Sequence, residues 1–267
     1  MKIIKDIIPS LKIFCYFLWR DIYIYRKKLL DNIINYSLLY PLIYAVSFVY
    51  LQSSIYFTDN STFMGTLIFA GTIMLPIMVL TYEITFALLF DLEQDRFIDY
   101  QIILLSPRLV LLERIVFATL FSFFLTIPYF PVSKLLLGSR LDLSTISWPA
   151  LLAILLFGSF CFASYQLLAA CILKSNQLRT FWSRVNGLFI TFGGFWIPLE
   201  TMAQYSTILG ICVQGNPALY LTEGVRQAIL QRPIFFPLSY CVFILCIMSV
   251  FCILCSWYFF KKRTDHI

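Results

Sequence analysis

The densest group of ionisable side chains in this chain lies in FDLEQDRFIDYQIILLSPRLVLLER, residues 90–114. Asp91, Glu93, Asp95, Arg96 and Asp99 fall within nine residues, ahead of an apolar stretch that breaks at Ser106-Pro107. Ser favours a helix N-cap and Pro the first helical turn. The pattern predicts a short surface helix over 91–106, then a new membrane span. Asp91, Asp95 and Asp99 recur at i, i+4 and make one acidic ridge, while Phe90, Phe97, Tyr100 and Leu104 keep to another side. Such a ridge suits either a solvated helix face or a docking knob for a partner protein. Glu83 is an acid inside an apolar run, and an intramembrane carboxylate is a site hypothesis by default. Two roles stay open for it: an interface carboxylate, or a group that lines a path or joins helices. Near the other end, Asn216 and Pro217 have the types of a helix cap and first residue, and Glu223 and Arg226 form an i, i+3 pair.

Chemistry of other kinds finds no support. Cys252 and Cys255 have the spacing of a metal pair, yet the sole histidine is His266 and the chain holds no second such pair, so helix packing explains the cysteines and no metal is expected. No GxxxxGK[ST], GxGxxG, HExxH or GxSxG pattern occurs, so neither catalytic residues nor an ATP site are expected within this chain.

The elements that must carry these residues follow from composition. Of 267 residues, 60% are hydrophobic, 18% aromatic and 13% charged, a balance that suits a bilayer rather than water. A spanning helix needs about 20 mostly apolar residues. Runs of that kind predict an all-α, polytopic membrane protein with six spans, at 33–51, 63–90, 109–135, 149–173, 181–199 and 235–260. With six spans and both termini inside, sixteen of the 20 Lys and Arg lie on the cytoplasmic side and four outside, which satisfies the positive-inside rule. The net charge of +6 then reflects topology and anionic lipid, and nucleic acid is not an expected partner.

Residues 1–31 lack a signal-peptide pattern and read as an amphipathic helix flat on the cytoplasmic leaflet, ahead of a membrane domain over 32–267. Pro41 predicts a kink in the first span, and Pro128 and Pro131 a bent outer half in the third. Glu113 and Arg114 open that third span as sequence neighbours on different sides of the helix. Small residues in the fourth, among them Gly158 and Ala163, predict close helix packing. Between spans five and six, 200–234 reads as two short helices dipping into the outer leaflet, because irregular backbone cannot face lipid. They serve as a structural cap or as a gate.

Three stretches resemble the membrane-spanning permease subunit of type-2 ABC exporters, the family of polysaccharide, nodulation-factor and daunorubicin-type exporters. LWRDIYIYRKKLLDNIINYSLLYPLIYAVSF resembles the family's interfacial helix and first span, IILLSPRLVLLER its LLxxP motif after the coupling helix, and NPALYLTEGVR its NPxxYxxEGxR exterior motif. The glycine common shortly before LLxxP is absent here, around Ile98 and Asp99. The resemblance implies a permease in the cell (inner) membrane, a second permease copy forming a homodimer or similar pair, and two copies of a separate ATPase that binds ATP-Mg. It implies docking through Asp91, Glu93, Asp95, Arg96 and Asp99, and an exterior re-entrant element built on Asn216, Pro217, Tyr220, Glu223 and Arg226. The expected cargo is amphiphilic or glycan-type. A membrane-embedded lipid-linked transferase, or a non-transporting assembly protein, is the alternative.

Overall fold

The computed structural model describes residues 2–51, 61–93, 97–141, 143–232 and 236–264, and every regular element among them is helical. Five helical stretches are long and apolar enough to cross a membrane: Ser10–Val49, Gly65–Leu89, Pro107–Leu137, Trp148–Ile172 and Leu238–Arg263. Their outward faces are greasy. The last exposes Phe243, Ile247, Val250, Phe251 and Leu254, the reverse of a water-facing helix, and the chain fits a multi-pass membrane protein.

Helix α1 (Lys2–Asn32) runs without a break through a π-helical segment (Ile33–Leu39), a short α2 (Tyr40–Tyr44) and a second π segment (Ala45–Leu51). The expected boundary at residue 31 is therefore continuous helix. Pro41 supplies the reason for the uneven pitch: it lacks an N–H and its ring crowds the preceding turn, and widened turns on either side absorb the fault. The second span is α3 (Ser61–Thr72) followed by α4 (Met74–Glu93), and α5 (Phe97–Leu104) is the short helix after it. The expected acidic ridge is thus divided between two helices: Asp91 ends α4 and Asp99 opens α5. Asp95 and Arg96 lie outside the described residues.

Ser106 takes the extended conformation of an N-cap and Pro107 begins α6 (Pro107–Thr126), as the residue types require. Pro128 then separates α6 from α7 (Tyr129–Leu137), so the second half of this span is a separate segment. Tyr129 at its head is fully buried, stacks on Phe69 at 5.3 Å and shares a 2.6 Å hydrogen bond with Thr72. Helix α8 (Trp148–Ile172) is the centre of the bundle and packs against α4, α6, α12 (Pro217–Leu230) and α13 (Leu238–Thr264).

The segment expected as a span at 181–199 is not one helix. Helix α9 covers Ser175–Phe192 and stops at Gly193-Gly194, where Gly194 adopts φ +75°, a conformation that disfavours any residue with a Cβ. Beyond it, α10 (Leu199–Tyr205), α11 (Thr207–Val213) and α12 replace the two short helices expected between 200 and 234. The additional break is Ser206, whose extended backbone ends α10 and whose hydroxyl caps the Leu209 N–H at 3.4 Å.

Candidate functional site: two buried arginine clusters and an aromatic ladder

Two arginines are drawn into the apolar bundle, Arg114 on the third span and Arg226 on α12 against the second. Burying a guanidinium is costly unless its donors are met, so their partners define what each one does.

Arg114, in the first half of α6, is 6% exposed. One terminal nitrogen donates to Asp21 of α1 at 2.9 Å; the other donates to Asp91 of α4 at 2.7 Å and to Gln101 of α5 at 3.1 Å. One side chain therefore ties four elements together. Glu113, fully buried, brings a carboxylate oxygen to 3.4 Å from Arg114 Nε, so these sequence neighbours face each other after all. The contact is too long for a good hydrogen bond, and both Glu113 oxygens and Arg114 Nε lack such partners, although the 3.4 Å approach keeps the two groups within range of charge attraction. Arg20 contributes a second cation, at 3.0 Å from Asp21, and lies over the Phe97 ring of α5 at 3.8 Å. Burial pushes the Asp91 carboxyl above the ordinary carboxylate range, with Asp21 adding to the rise and Arg114 and Arg20 opposing it.

Glu93 behaves differently although it is two residues away. Its carboxylate meets Arg263 of α13 at 2.5 Å and accepts from the Ser175 N–H of α9 at 3.3 Å. Burial would raise its carboxyl, but these hydrogen bonds and the Arg263 charge outweigh it and hold the group below its usual value. Arg263 also donates to the Ala170 and Leu173 carbonyls, closing the end of α8. Asp91 and Glu93 therefore point into this chain. On α5 the outward side chains are Tyr100, Ile103 and Leu104, at 66%, 79% and 56% exposure, with Asp99 half-buried beside them.

At the other cluster, Asn216 caps α12 by accepting from the Ala218 N–H at 3.0 Å and donates to the Phe189 carbonyl at 3.0 Å. Pro217 takes the first helical position and Tyr220 donates to the Gln214 carbonyl at 2.7 Å. Arg226 is fully buried. It meets Glu223 at 2.8 Å, donates from Nε to the Leu67 carbonyl at 3.0 Å, and bonds the Gly194 carbonyl. Glu223 also accepts from the Leu199 N–H at 3.2 Å, and Thr222 donates to the Gly193 carbonyl at 2.8 Å. The residues that the sequence reading assigned to an exterior element thus share one polar seam, which staples α12 to α3 and to the broken backbone at 193–199.

Between the clusters, Glu83 is exposed on α4 and accepts from the Tyr36 hydroxyl at 2.7 Å. Tyr36 begins a ladder with Tyr40, Tyr44 and Phe48, consecutive ring centroids 5.4, 5.9 and 5.9 Å apart, which Phe195 and Trp196 extend. Tyr82, beside Glu83, stacks on Trp182 of α9 at 4.1 Å.

Sequence reasoning missed Asp21 and Gln101 as partners, and took Arg114 as a span-opening charge. A signal was available: Asp21, Gln101, Glu113 and Arg114 are polar residues on helices whose neighbours are apolar, and each must find a partner when buried. Comparison of the chain with protein-family models, with curated proteins and with solved structures finds no match.

Proposed function

We propose that this chain is the permease subunit of an ATP-binding cassette exporter, forming the path for an amphiphilic or glycan-type substrate and driven by a separate ATPase docked at 91–106. The observation that carries the reading is the Arg114 cluster. A helix that receives force from outside must be tied to the spans it moves, and α5 is tied through Gln101, Arg114, Asp21 and Asp91 to α6, α1 and α4 at once. The apolar tip Tyr100, Ile103 and Leu104 is the surface offered to a partner, with Asp99 at its edge.

The path itself is assigned to the face bearing Glu83. A carboxylate at span depth is expensive against lipid, so that face turns toward water or toward a second copy. Tyrosine rings with a carboxylate beside them suit sugar faces and hydroxyls. In this reading α9 completes a six-span topology, since 18 residues rise about 27 Å, close to the hydrocarbon thickness of roughly 30 Å. Both termini are then cytoplasmic.

The deciding experiment is co-purification from native membranes of a subunit carrying a GxxxxGK[ST] loop. Ile103→Asp, at an exposed position, is expected to release that subunit while the permease stays folded in the membrane, and Asp95→Lys with Asp99→Lys to weaken its hold. Retention of the subunit by all of these variants, or its absence from the wild-type preparation, overturns the reading.

A further inference from the structure

A groove of about 440 Å³ runs along the outer face between α1 with its π continuation and α6. Ile22, Leu29, Ile33, Leu120, Phe121 and Phe124 form its walls, and among its lining residues Arg26 and Ser37 alone are polar. Ser37 has no donor left for an anion, because its hydroxyl proton goes to the Leu125 carbonyl at 2.6 Å. Arg26 is exposed, and its guanidinium folds back one helical turn to lie over the Tyr23 ring at 3.7 Å. Lys27 and Lys28 follow it, both exposed. Arg26 sits partway along the α1 wall, with Ile22 and Leu18 beyond it, so the occupant is anionic at Arg26 and apolar over the stretch from there to Ser37.

Dimensions point the same way. From Arg26 to Ser37 the helix rises about 16 Å, roughly half of a hydrocarbon core of about 30 Å, which is the depth of one leaflet. Walls of Phe, Leu and Ile open to the side accept a flexible chain without demanding a particular shape. We propose that this groove binds one acyl chain of an anionic phospholipid, with the lipid phosphate at Arg26 and the chain running past Ile33 toward Phe124. Such a lipid lies along the seam where the first and third spans already meet through Asp21–Arg114, Tyr25–Phe117 and Ser37–Leu125, covering the open side of that contact. The proposal rests on the chain crossing a bilayer and is independent of any transport role.

The test uses the full chain in mild detergent, titrated with phosphatidylglycerol or with phosphatidylcholine of identical acyl chains, with bound lipid counted by native mass spectrometry. Wild type is expected to hold one phosphatidylglycerol about fivefold more tightly than phosphatidylcholine, the factor one basic residue supplies at an anionic surface. Arg26→Gln is expected to bring that ratio near one. Lys28→Gln, outside the groove, is expected to leave it close to the wild-type value. Phosphatidylglycerol with a diazirine in its acyl chain is expected to label residues 117–128 in wild type and to lose that label in Leu120→Trp. Equal affinity for the two lipids in wild type, an unchanged preference in Arg26→Gln, or labelling elsewhere overturns the proposal. So does a disulfide between copies carrying Leu29→Cys and Leu120→Cys, which would show a second chain seated there.

Discussion

Arg114 and Arg226 are both buried guanidiniums with a carboxylate at under 3 Å, yet they are held in different ways. Arg226 is fixed by the Leu67 and Gly194 backbone carbonyls and by one carboxylate three residues away on its own helix. Backbone carbonyls cannot rotate away, so this is a rivet. Arg114 is held wholly by side chains, from α1, α4 and α5, with Glu113 and Arg20 close by and several polar atoms lacking hydrogen-bond partners. Side chains exchange partners at little cost, so this is a joint. A bundle riveted at one cluster and jointed at the other has a built-in place to bend.

The largest expected effect comes from removing the rivet. Arg226→Leu leaves Glu223 buried without its cation, a loss of about 3–5 kcal/mol, read as collapse of monodisperse protein and of the thermal transition. Arg226→Lys is expected to fail as well, because an ammonium cannot reach Leu67 and Gly194 in the same fork. Survival of either variant with a wild-type melt removes the distinction. Arg114→Gln is expected to fall at the low end of that range, about 3 kcal/mol, since Arg20 stays beside Asp21 and the acids can take up protons. Its mark is a looser α5, seen as faster amide exchange over 97–104, with α12 unchanged; equal loosening of both regions argues against a joint.

Gly71→Ala probes the rivet from its neighbour. A Cβ there falls 2.7 Å from both Arg226 Nη2 and the Phe195 carbonyl, and overpacking of this kind costs about 1–3 kcal/mol in thermal or denaturant melts. The smallest effect separates Asp91 from Glu93 by pH. Glu93 has a lowered folded value, so its contribution is present above the unfolded pKa and fades as pH falls through the folded one. Asp91 is raised, so its contribution is full below the unfolded pKa and is lost as pH rises through the folded one. Glu93 is partly open to water, so its share stays below about 1 kcal/mol. Melts from pH 3 to 8 are expected to show Glu93→Gln closing on wild type toward acid, and Asp91→Asn exceeding wild type toward neutral pH. Parallel curves refute the opposed environments.

The rivet was largely legible in the sequence and the joint was not. Asn216, Pro217, Glu223 and Arg226 lie within one helix, where cap types and i, i+3 spacing are local rules. Arg114 meets partners 93, 23 and 13 residues away, and no periodicity encodes such distances. The long apolar runs marked most of each helix long and apolar enough to cross a membrane for the same local reason, though the first begins at Ser10 rather than 33, and Pro128 marked the break between α6 and α7. The helix expected at 181–199 is instead Ser175–Phe192, because hydropathy is blind to backbone conformation. Gly193-Gly194 sits inside an apolar stretch, yet it ends α9 where Thr222 and Arg226 take up its carbonyls.

The irregular pitch around Pro41 also decides where four rings point. Tyr36, Tyr40, Tyr44 and Phe48 are spaced by four residues, and in a uniform α-helix each such step overshoots a full circle by about 40°. Across three steps the rings would fan a third of the way round the cylinder. A π turn holds more than four residues and errs the opposite way, so alternating the two pitches lets the drifts cancel and the rings descend as a single file. The alignment of that file belongs to the backbone, and a change at Pro41 that restores even winding is enough to unroll it.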